Sequence, residues 1–502
     1  MPLLAYITGR LAPSGLGGWL LAVLCALLPL SLRAAQQFEL IEPYFEAVGS
    51  NEVIPEGAVM ALTQDARGLL WIGTQKGLVQ YDGYRFRKFV HASRDQHSLA
   101  GDYIWCLWGQ ADGRVWVGTA SNGVSVYDAA SERFTHYRHD PKQPGSLGEG
   151  IVWAMTDDGK GGMWIGTDHG LSHLPAGASQ FVHLRHQSGR ADSLADDRVR
   201  SLLRDKDGNL WVGSVAGLQK LQADGKHFSP VQAAGHEIVA LFQASDGKLW
   251  LGSRQQGAFW LEPGQGQLHG IHSNARGQNL AQQWITSIRQ VQDQIWLATR
   301  GGGVLVVASK DGTLLRQLHH DASVASSLRI DEVRALWLDR SGLLWLGSNG
   351  GGLMRFNATN RAIGLMHHSP TRSHGLSAPS LQSMVQLPDQ QLLIGTTANG
   401  IDSLDRTGRL QGGHRAASGA SGVSPGTSGT SGTPGSLATA SKALTLRPST
   451  ATASASSGAA GFPKSSVRSL FATADGWLWA GTQDAGLWQL APGASSWQGF
   501  GR

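Results

Sequence analysis

The chain repeats one short unit nine times, and this repetition constrains the fold more than any other feature. In its clearest copy, Val199 to Leu221, a strand pattern runs into an Asp207-Gly208 turn, then a Leu-Trp-Val-Gly-Ser strand, then a third strand after another turn. The Trp position is filled in order by Trp71, Trp116, Trp164, Trp211, Trp250, Trp296, Trp345, Leu393 and Trp479. Their intervals are 45, 48, 47, 39, 46, 49, 48 and 86 residues. A period of about 40–50 residues containing several strands predicts an all-β fold, a β-propeller of four-stranded blades.

The first strand of each blade has its own pattern, an apolar residue followed by any residue, a Ser or Ala, and Leu. In eight repeats the apolar residue precedes the Trp position by twelve residues: Val59, Ile104, Val152, Val199, Ile238, Val333, Leu381 and Val467. Repeat six is one residue shorter and begins at Ile285. We expect the small third residue to permit close packing near a central axis, and the Trp to fill the wedge between blades.

Seven repeats of near-uniform spacing predict a seven-bladed ring over residues 36–370, closed by an N-terminal strand near Phe45. Residues 371–410 form a degenerate eighth repeat, and 462–502 a ninth that stops shortly after its third strand and begins an incomplete second ring. A single eight- or nine-bladed ring stays open, because both late repeats keep the first-strand pattern. Residues 411–461 are almost free of large apolar side chains and predict a disordered insertion rich in Ser, Gly, Ala and Thr.

The N-terminal 35 residues have the layout of a secretory signal peptide, with Arg10, an apolar run from Trp19 to Leu32, and small residues after it. An uncleaved anchor is the alternative. The predicted mature part contains a single cysteine, Cys106, so it forms no internal disulfide. Its basic residues are scattered and the formal charge is only +5, which argues against nucleic-acid binding.

The repeat resembles the two-component regulator propeller repeat. The resemblance is carried by QDARGLLWIGTQKGL at 64–78, YDGYRF at 81–86, and the connectors that join His139-Asp140 to Ser146-Leu147 and His320-Asp321 to Ser327-Leu328. This family occurs in the extracytoplasmic sensor regions of bacterial hybrid histidine kinases and some diguanylate cyclases. Its members typically carry about fourteen repeats in two rings, followed by a membrane helix and an output domain. The resemblance therefore implies a truncated member whose output domain is missing from this chain.

No catalytic motif accompanies the repeat: phosphate loops, zinc-protease helices and nucleophile elbows are absent from the sequence. We therefore expect no enzyme activity, no cofactor and no metal. The pairs His319-His320 and His367-His368 are interpreted as connector residues rather than metal ligands.

A binding site is predicted by propeller geometry, in which the connectors before the first strands and the turns after the Trp strands share one face. Asp168-His169 lies in one such turn. The candidate ligand-binding residues are Asp102, Tyr103, Asp197, Arg198, Glu237, Gln283, Trp284, Asp331, Glu332, Arg254 and Arg300. Aromatic faces beside polar groups favour a small polar or carbohydrate-like ligand.

These features together predict a periplasmic ligand-sensing propeller of a signal-transduction receptor, whose full-length relatives are anchored in the inner membrane. A homodimer through a downstream region stays open. The alternatives are a propeller-fold polysaccharide lyase, which needs clustered His, Tyr and Arg or Lys side chains, and a protein-docking scaffold, which needs a broad apolar rim.

Overall fold

The structure is a computed structural model that describes residues 43–50, 52–54, 57–271, 280, 282–358, 368, 376–405, 410–414 and 462–500. The regular structure of these residues is entirely β, and none of them forms a helix that could cross a membrane. The predicted signal peptide, residues 1–35, lies outside the described residues, as does most of the predicted insertion.

Each of the nine repeats forms its own antiparallel sheet, or blade, as the sequence predicts. Blades one to three contain β2 (Val59–Gln64), β3 (Leu70–Thr74), β4 (Gly77–Tyr81) and β5 (Phe86–Phe89); β6 (Ile104–Gly109), β7 (Val115–Thr119), β8 (Val124–Asp128) and β9 (Arg133–Tyr137); and β10 (Ala154–Asp157), β11 (Met163–Thr167), β12 (Gly170–Leu174) and β13 (Val182–Leu184). Blades four and five contain β14 (Val199–Arg204), β15 (Leu210–Ser214) and β16 (Leu218–Lys220); and β17 (Ile238–Gln243), β18 (Leu249–Ser253), β19 (Ala258–Leu261) and β20 (His269–Gly270).

The remaining blades follow the same order, and a strand preceding all of them, β1 (Glu46–Val48), joins the seventh. Blades six and seven contain β21 (Ile285–Val291), β22 (Gln294–Thr299), β23 (Val304–Ala308) and β24 (Leu314–Leu318); and β25 (Val333–Leu338), β26 (Leu343–Ser348) and β27 (Gly352–Asn357). Blades eight and nine contain β28 (Leu381–Gln386), β29 (Leu392–Thr396), β30 (Ile401–Leu404) and β31 (Leu410–His414); and β32 (Val467–Ala472), β33 (Leu478–Thr482), β34 (Leu487–Leu490) and β35 (Gln498–Phe500).

Blade four differs from the predicted four strands, because it has three strands and two isolated bridges, Leu218 to Gln232 and Leu221 to Phe228. Pro230 lies between the two bridges. Since proline has no backbone N–H to donate, a continuous fourth strand cannot form across it.

Residues Glu42–Leu365 form one compact unit, in which the first strands of successive blades contact one another from β2 through β25 and back to β2. The N-terminal strand β1 pairs antiparallel with β27, with Glu46 opposite Arg355 and Val48 opposite Leu353. The fourth strand of blade seven therefore comes from the N-terminus, where the sequence placed a closing strand near Phe45. Phe45 itself is buried and packs on Phe356.

The Trp of each second strand packs against the first strand of the next blade. Trp211 is 3% exposed and clusters with Ile238 and Leu251. Its indole Nε1 donates to Asp205 Oδ2 at 2.8 Å, while Asp205 Oδ1 accepts the backbone N–H groups of Asp207 and Asn209. One aspartate thus fixes both the turn and the tryptophan.

The second compact unit contains blades eight and nine among its described residues. Leu393 takes the tryptophan position of blade eight, is 2% exposed and lies in a cluster with Val467, Phe462 and Trp497 of the ninth repeat. The ninth repeat was expected to end after a third strand, but the short strand β35 completes it. Likewise the predicted insertion begins too early, because 411–414 belong to β31, whose backbone pairs with β30. The rest of the predicted disordered segment, 415–461, lies outside the described residues.

Candidate functional site: the axial mouth of the ring

The candidate site starts from a β-bulge at the beginning of the first strands. In six of the seven blades of the ring, the pairing between first and second strand shifts by one residue, as between Val199 and Ser201. The bulged residue is the variable second position of the first-strand pattern. A bulge re-aims a side chain, and here it brings these residues together with those of the neighbouring turns at one end of the ring, which we call the mouth.

Blades two and three contribute an aromatic sector to the mouth. Tyr103, 36% exposed, stacks on Trp105 with ring centroids 5.7 Å apart. Trp105 in turn meets Trp153 edge-on at 4.8 Å. The indole Nε1 of Trp153 donates to Asp168 Oδ1 at 2.9 Å, so the sector has an exposed aromatic face and a polar end.

Arg200 links this sector to a charged one. Its guanidinium lies 4.3 Å over the Trp153 ring, and it is hydrogen-bonded to Asp168 Oδ1 at 2.6 Å and Glu237 Oε1 at 3.1 Å. The Arg200 side chain is only 10% exposed. Burial acts to raise the pKa of Asp168, but hydrogen bonds from Arg200, Trp153 and the backbone of Ile151 outweigh it and lower that pKa. The Asp168 carboxylate is therefore ionised at neutral pH and holds Arg200 in place.

Trp284 is surrounded by three arginines on the next side of the mouth. The guanidinium carbons of Arg254, Arg300 and Arg334 lie 4.6, 4.4 and 6.0 Å from the Trp284 ring. Arg254 is 3.4 Å from Glu237, which joins this cluster to Arg200. Both Arg300, at 3.5 Å, and Arg334 pair with Glu332. Cation–π contact and ion pairing thus hold an indole and three guanidinium groups in one layer.

The belt of side chains from Tyr103 to Glu332 includes six of the predicted residues. Tyr103, Glu237, Trp284, Glu332, Arg254 and Arg300 all take part in the contacts above. The belt also contains Asp168, which the prediction placed only in a turn of the same face. Four further belt residues were missing from the prediction: Trp105, Trp153, Arg200 and Arg334. All four occupy the variable second position of the first-strand pattern. The sequence signal that could have identified them is a large side chain directly before the small residue that this pattern requires.

Three predicted aspartates serve the backbone instead of the mouth. Asp102, Asp197 and Asp331 each accept, through Oδ1, the backbone N–H of a connector histidine, His91, His186 and His320, at 2.6 to 2.7 Å. Their carbonyl oxygens accept the N–H of Gly77, Gly170 and Gly303 in the preceding blade. Gln283 occupies the same position, and its carbonyl accepts from Gly257. These carboxylates fix the connectors, so their role in the structure is to shape the face.

Arg198 directs its guanidinium to Asp196, with nitrogen–oxygen distances of 2.9 and 2.6 Å. The hydrogen bonds from Arg198 lower the pKa of Asp196. Arg198 is two residues from the belt residue Arg200 in sequence, but its guanidinium pairs with Asp196 and with no residue of the belt.

The histidines of the connectors also have structural partners. Nδ1 of His320 donates to the Leu328 carbonyl at 2.6 Å, and Nδ1 of His368 to the Leu376 carbonyl at 2.7 Å. His367 lies outside the described residues. The described residues hold no group of three or more His, Cys, Asp or Glu side chains arranged to bind a metal. Burial raises the pKa of the Cys106 thiol, which lies in the first strand of blade two.

The repeat itself matches a known family model. The model described as "Two component regulator propeller" matches residues 193–216, the connector and first two strands of blade four. This match confirms that the repeat resembles the two-component regulator propeller repeat. A search of curated proteins found no match.

Two solved structures show the same fold at low sequence identity. The extracellular domain of a protein assigned as the hybrid two component system BT3049 of B. thetaiotaomicron is 20% identical, with a TM-score of 0.67, over 89% of this chain and 53% of that one. The extracellular domain of BT4673, from the same organism, is 19% identical to this chain, with a TM-score of 0.51. The match covers 91% of this chain and 53% of that one. The chain therefore spans about half the length of these relatives.

Proposed function

We propose that this chain is the periplasmic ligand-sensing region of a bacterial signal-transduction receptor of the hybrid histidine kinase or diguanylate cyclase type. The family and fold support a sensor region, and the N-terminal sequence pattern supports export. In this proposal the chain senses the ligand and carries no catalytic step of its own.

The observation that carries the proposal is the continuous belt of aromatic and charged side chains at the mouth. Flat rings such as Tyr103 and Trp284 can stack on the apolar faces of a sugar. Fixed guanidinium and carboxylate groups beside them can bind its hydroxyls through charge-assisted hydrogen bonds. Because Arg200, Arg254 and Glu237 already hold one another, a ligand would meet preorganised groups and pay little for ordering them. We therefore propose a small polar or carbohydrate-like ligand.

The polysaccharide lyase alternative requires a histidine beside a tyrosine and a basic residue. Among the described residues two histidines adjoin the belt in sequence, His169 and His236. Nδ1 of His169 lies 3.2 Å from the Glu149 carbonyl, and Nδ1 of His236 lies 3.2 Å from the Ala233 carbonyl. Neither is in ring or hydrogen-bond contact with Tyr103 within the described part of the chain. The geometry thus favours binding over elimination chemistry.

The double change Tyr103→Ala and Trp284→Ala tests the proposed site. We expect it to abolish binding of the saccharide selected from a panel of neutral and acidic mono- and oligosaccharides by calorimetry. The matched control is Tyr84→Ala, which removes an aromatic side chain that is 94% exposed. Full binding by the double variant, with an unchanged circular dichroism spectrum, would reject the mouth as the site.

Export is tested separately by cell fractionation. A mature protein that begins near Gln36 should be recovered from the periplasm. Recovery of the full-length chain from the cytoplasm would contradict the proposal.

A further inference from the structure

A second layer of side chains lies deeper along the first strands, at their fifth position. Its members face the Trp position of their own blade across the strand pair, as Arg289 faces Trp296. The seven residues are Thr63, Trp108, Thr156, Leu203, Phe242, Arg289 and Trp337. The fifth position lies three residues further along the strand than the second, so this deeper layer is about 10 Å from the mouth belt.

Arg289 is the one charged residue of this layer. Its guanidinium carbon is 5.3 Å from the Trp337 ring and 6.0 Å from the Phe242 ring, on the neighbouring blades. One of its nitrogens, NH1, donates to the Ile288 carbonyl at 2.7 Å. Within the described part of the chain no carboxylate pairs with it, unlike Arg200 in the mouth, which pairs with two.

Arg289 is partly exposed, and no carboxylate of the described residues balances its charge. Burial lowers the pKa of Arg289 to about 10, which still leaves the guanidinium charged at neutral pH. The indole Nε1 of the adjacent Trp337 is buried and has no hydrogen-bond partner among the described residues. A partly buried cation without a counter-charge and a buried N–H without an acceptor both cost free energy. An anion that accepts from both would remove the two costs together.

We propose that Arg289 and Trp337 form an oxyanion-binding site inside the ring, distinct from the mouth. The planar fork of a guanidinium matches the two oxygens of a carboxylate or an inorganic oxyanion. Phe242 and Trp337 form aromatic walls that lower the local dielectric and strengthen the pairing. The site therefore takes a small carboxylate or a phosphate-like ion, a class that goes beyond the ligand proposed for the mouth.

The test measures the melting temperature of the mature protein against increasing acetate in one series and inorganic phosphate in another, at constant ionic strength. Because a ligand that binds only the folded state stabilises it, we expect at least one series to raise the melting temperature. Arg289→Gln should weaken that anion's binding at least tenfold, and Trp337→Phe severalfold, since phenylalanine keeps the ring but has no N–H. Whichever series gives the larger response identifies the anion as organic or inorganic.

Matched variants separate this site from general charge effects and from the mouth. Arg87→Gln removes a surface arginine that pairs with Glu132, and it should keep the full response. The Tyr103→Ala and Trp284→Ala double variant should also keep it. Without anion, Arg289→Gln should melt no lower than the wild type, because the substitution removes an unpaired charge.

Three results would overturn the site: no response of the wild type to either anion, an unchanged response of Arg289→Gln, or an equal destabilisation of Arg289→Gln with and without anion. Should Arg289→Gln fail to fold, Arg289→Lys keeps the charge without the fork. The Arg289→Lys variant should bind the anion more weakly than the wild type. Unchanged anion binding in both Arg289→Lys and Trp337→Phe would contradict the proposal.

Discussion

Blades four and nine begin with the same four residues, Val-Arg-Ser-Leu, yet these residues are buried differently. In blade four Arg200 is 10% exposed and Ser201 is buried, donating to the Ile238 carbonyl of the next blade at 2.9 Å. In blade nine Arg468 and Ser469 are both exposed. The residue that follows is half-buried Leu203 in the ring but Phe471, 63% exposed, in the ninth blade.

The difference follows from the number of packed neighbours. Blade four lies between two other blades of a set whose first strands contact one another all the way round. In the second unit, blade nine packs on blade eight through the cluster that contains Leu393 and Val467. Leu393 is buried to 2% although it is not a tryptophan, whereas Trp479, in a full copy of the motif, is half-buried. Within the described residues, burial at this position therefore follows from the packing of another blade on the side chain, more than from which residue fills it.

The largest expected effect contrasts the two tryptophans. Trp211→Ala should destabilise the ring by about 3–5 kcal/mol, as for other large-to-small changes in a core. Trp479→Ala should cost less than half as much, because that side chain is only partly removed from water. Denaturant unfolding of both variants measures the two losses of unfolding free energy. Equal losses would contradict the difference in burial between Trp211 and Trp479.

The matched arginines give a smaller contrast. Arg200→Ala leaves the Asp168 and Glu237 carboxylates without their shared partner and should cost about 2–3 kcal/mol, less than a fully buried pair because both keep some contact with water. Arg468, exposed and bonded to Gln483 and Gln382, should tolerate alanine within about 0.5 kcal/mol. Thermal unfolding checks both, and a large loss for Arg468→Ala would place an unexpected neighbour beside blade nine.

The smallest effect concerns the turn aspartate of blade four. Asp205→Ala should cost about 1–3 kcal/mol, because the Trp211 indole and two backbone N–H groups lose their acceptor. Asp207→Ala is the control, since that residue is exposed and two positions away. Blade five supplies a natural counterpart: Ala244 replaces the aspartate, and the Trp250 Nε1 has no acceptor in the described part of the chain. Equal melting temperatures for the two variants would remove the stabilising role assigned to the turn.

Periodicity predicted the fold because the repeat encodes both the strand pattern and the wedge tryptophan. The strands of Phe86–Phe89 and the closing segment near Phe45 follow from the same patterns. The side chains that meet at the mouth were predicted in part. Positions before the first strands led to Tyr103, Trp284 and Glu332, which lie in the belt. They also led to Asp102, Asp197 and Asp331, whose side chains hold the connectors.

Two physical facts were not readable from the sequence. The first is the bulge that carries Trp105, Arg200 and Arg334 to the mouth, because a register shift depends on pairing with a partner strand. The second is which aspartates find a backbone donor, because Asp102 and its counterparts bond to histidine N–H groups eleven residues away. Both depend on tertiary contacts that a local pattern does not record.

The most direct test of the account is to lock the strand that completes blade seven. Glu46 and Arg355 face each other across β1 and β27, and their side chains already form an ion pair at 2.9 Å. Facing residues of an antiparallel pair lie within the Cα separation that a disulfide spans. In the variant Glu46→Cys with Arg355→Cys, we expect the two thiols to form a disulfide in the native protein, and we expect oxidation to raise the melting temperature of the ring. Two thiols that remain free to alkylation in the native, oxidised protein would contradict closure of the ring by its N-terminal strand.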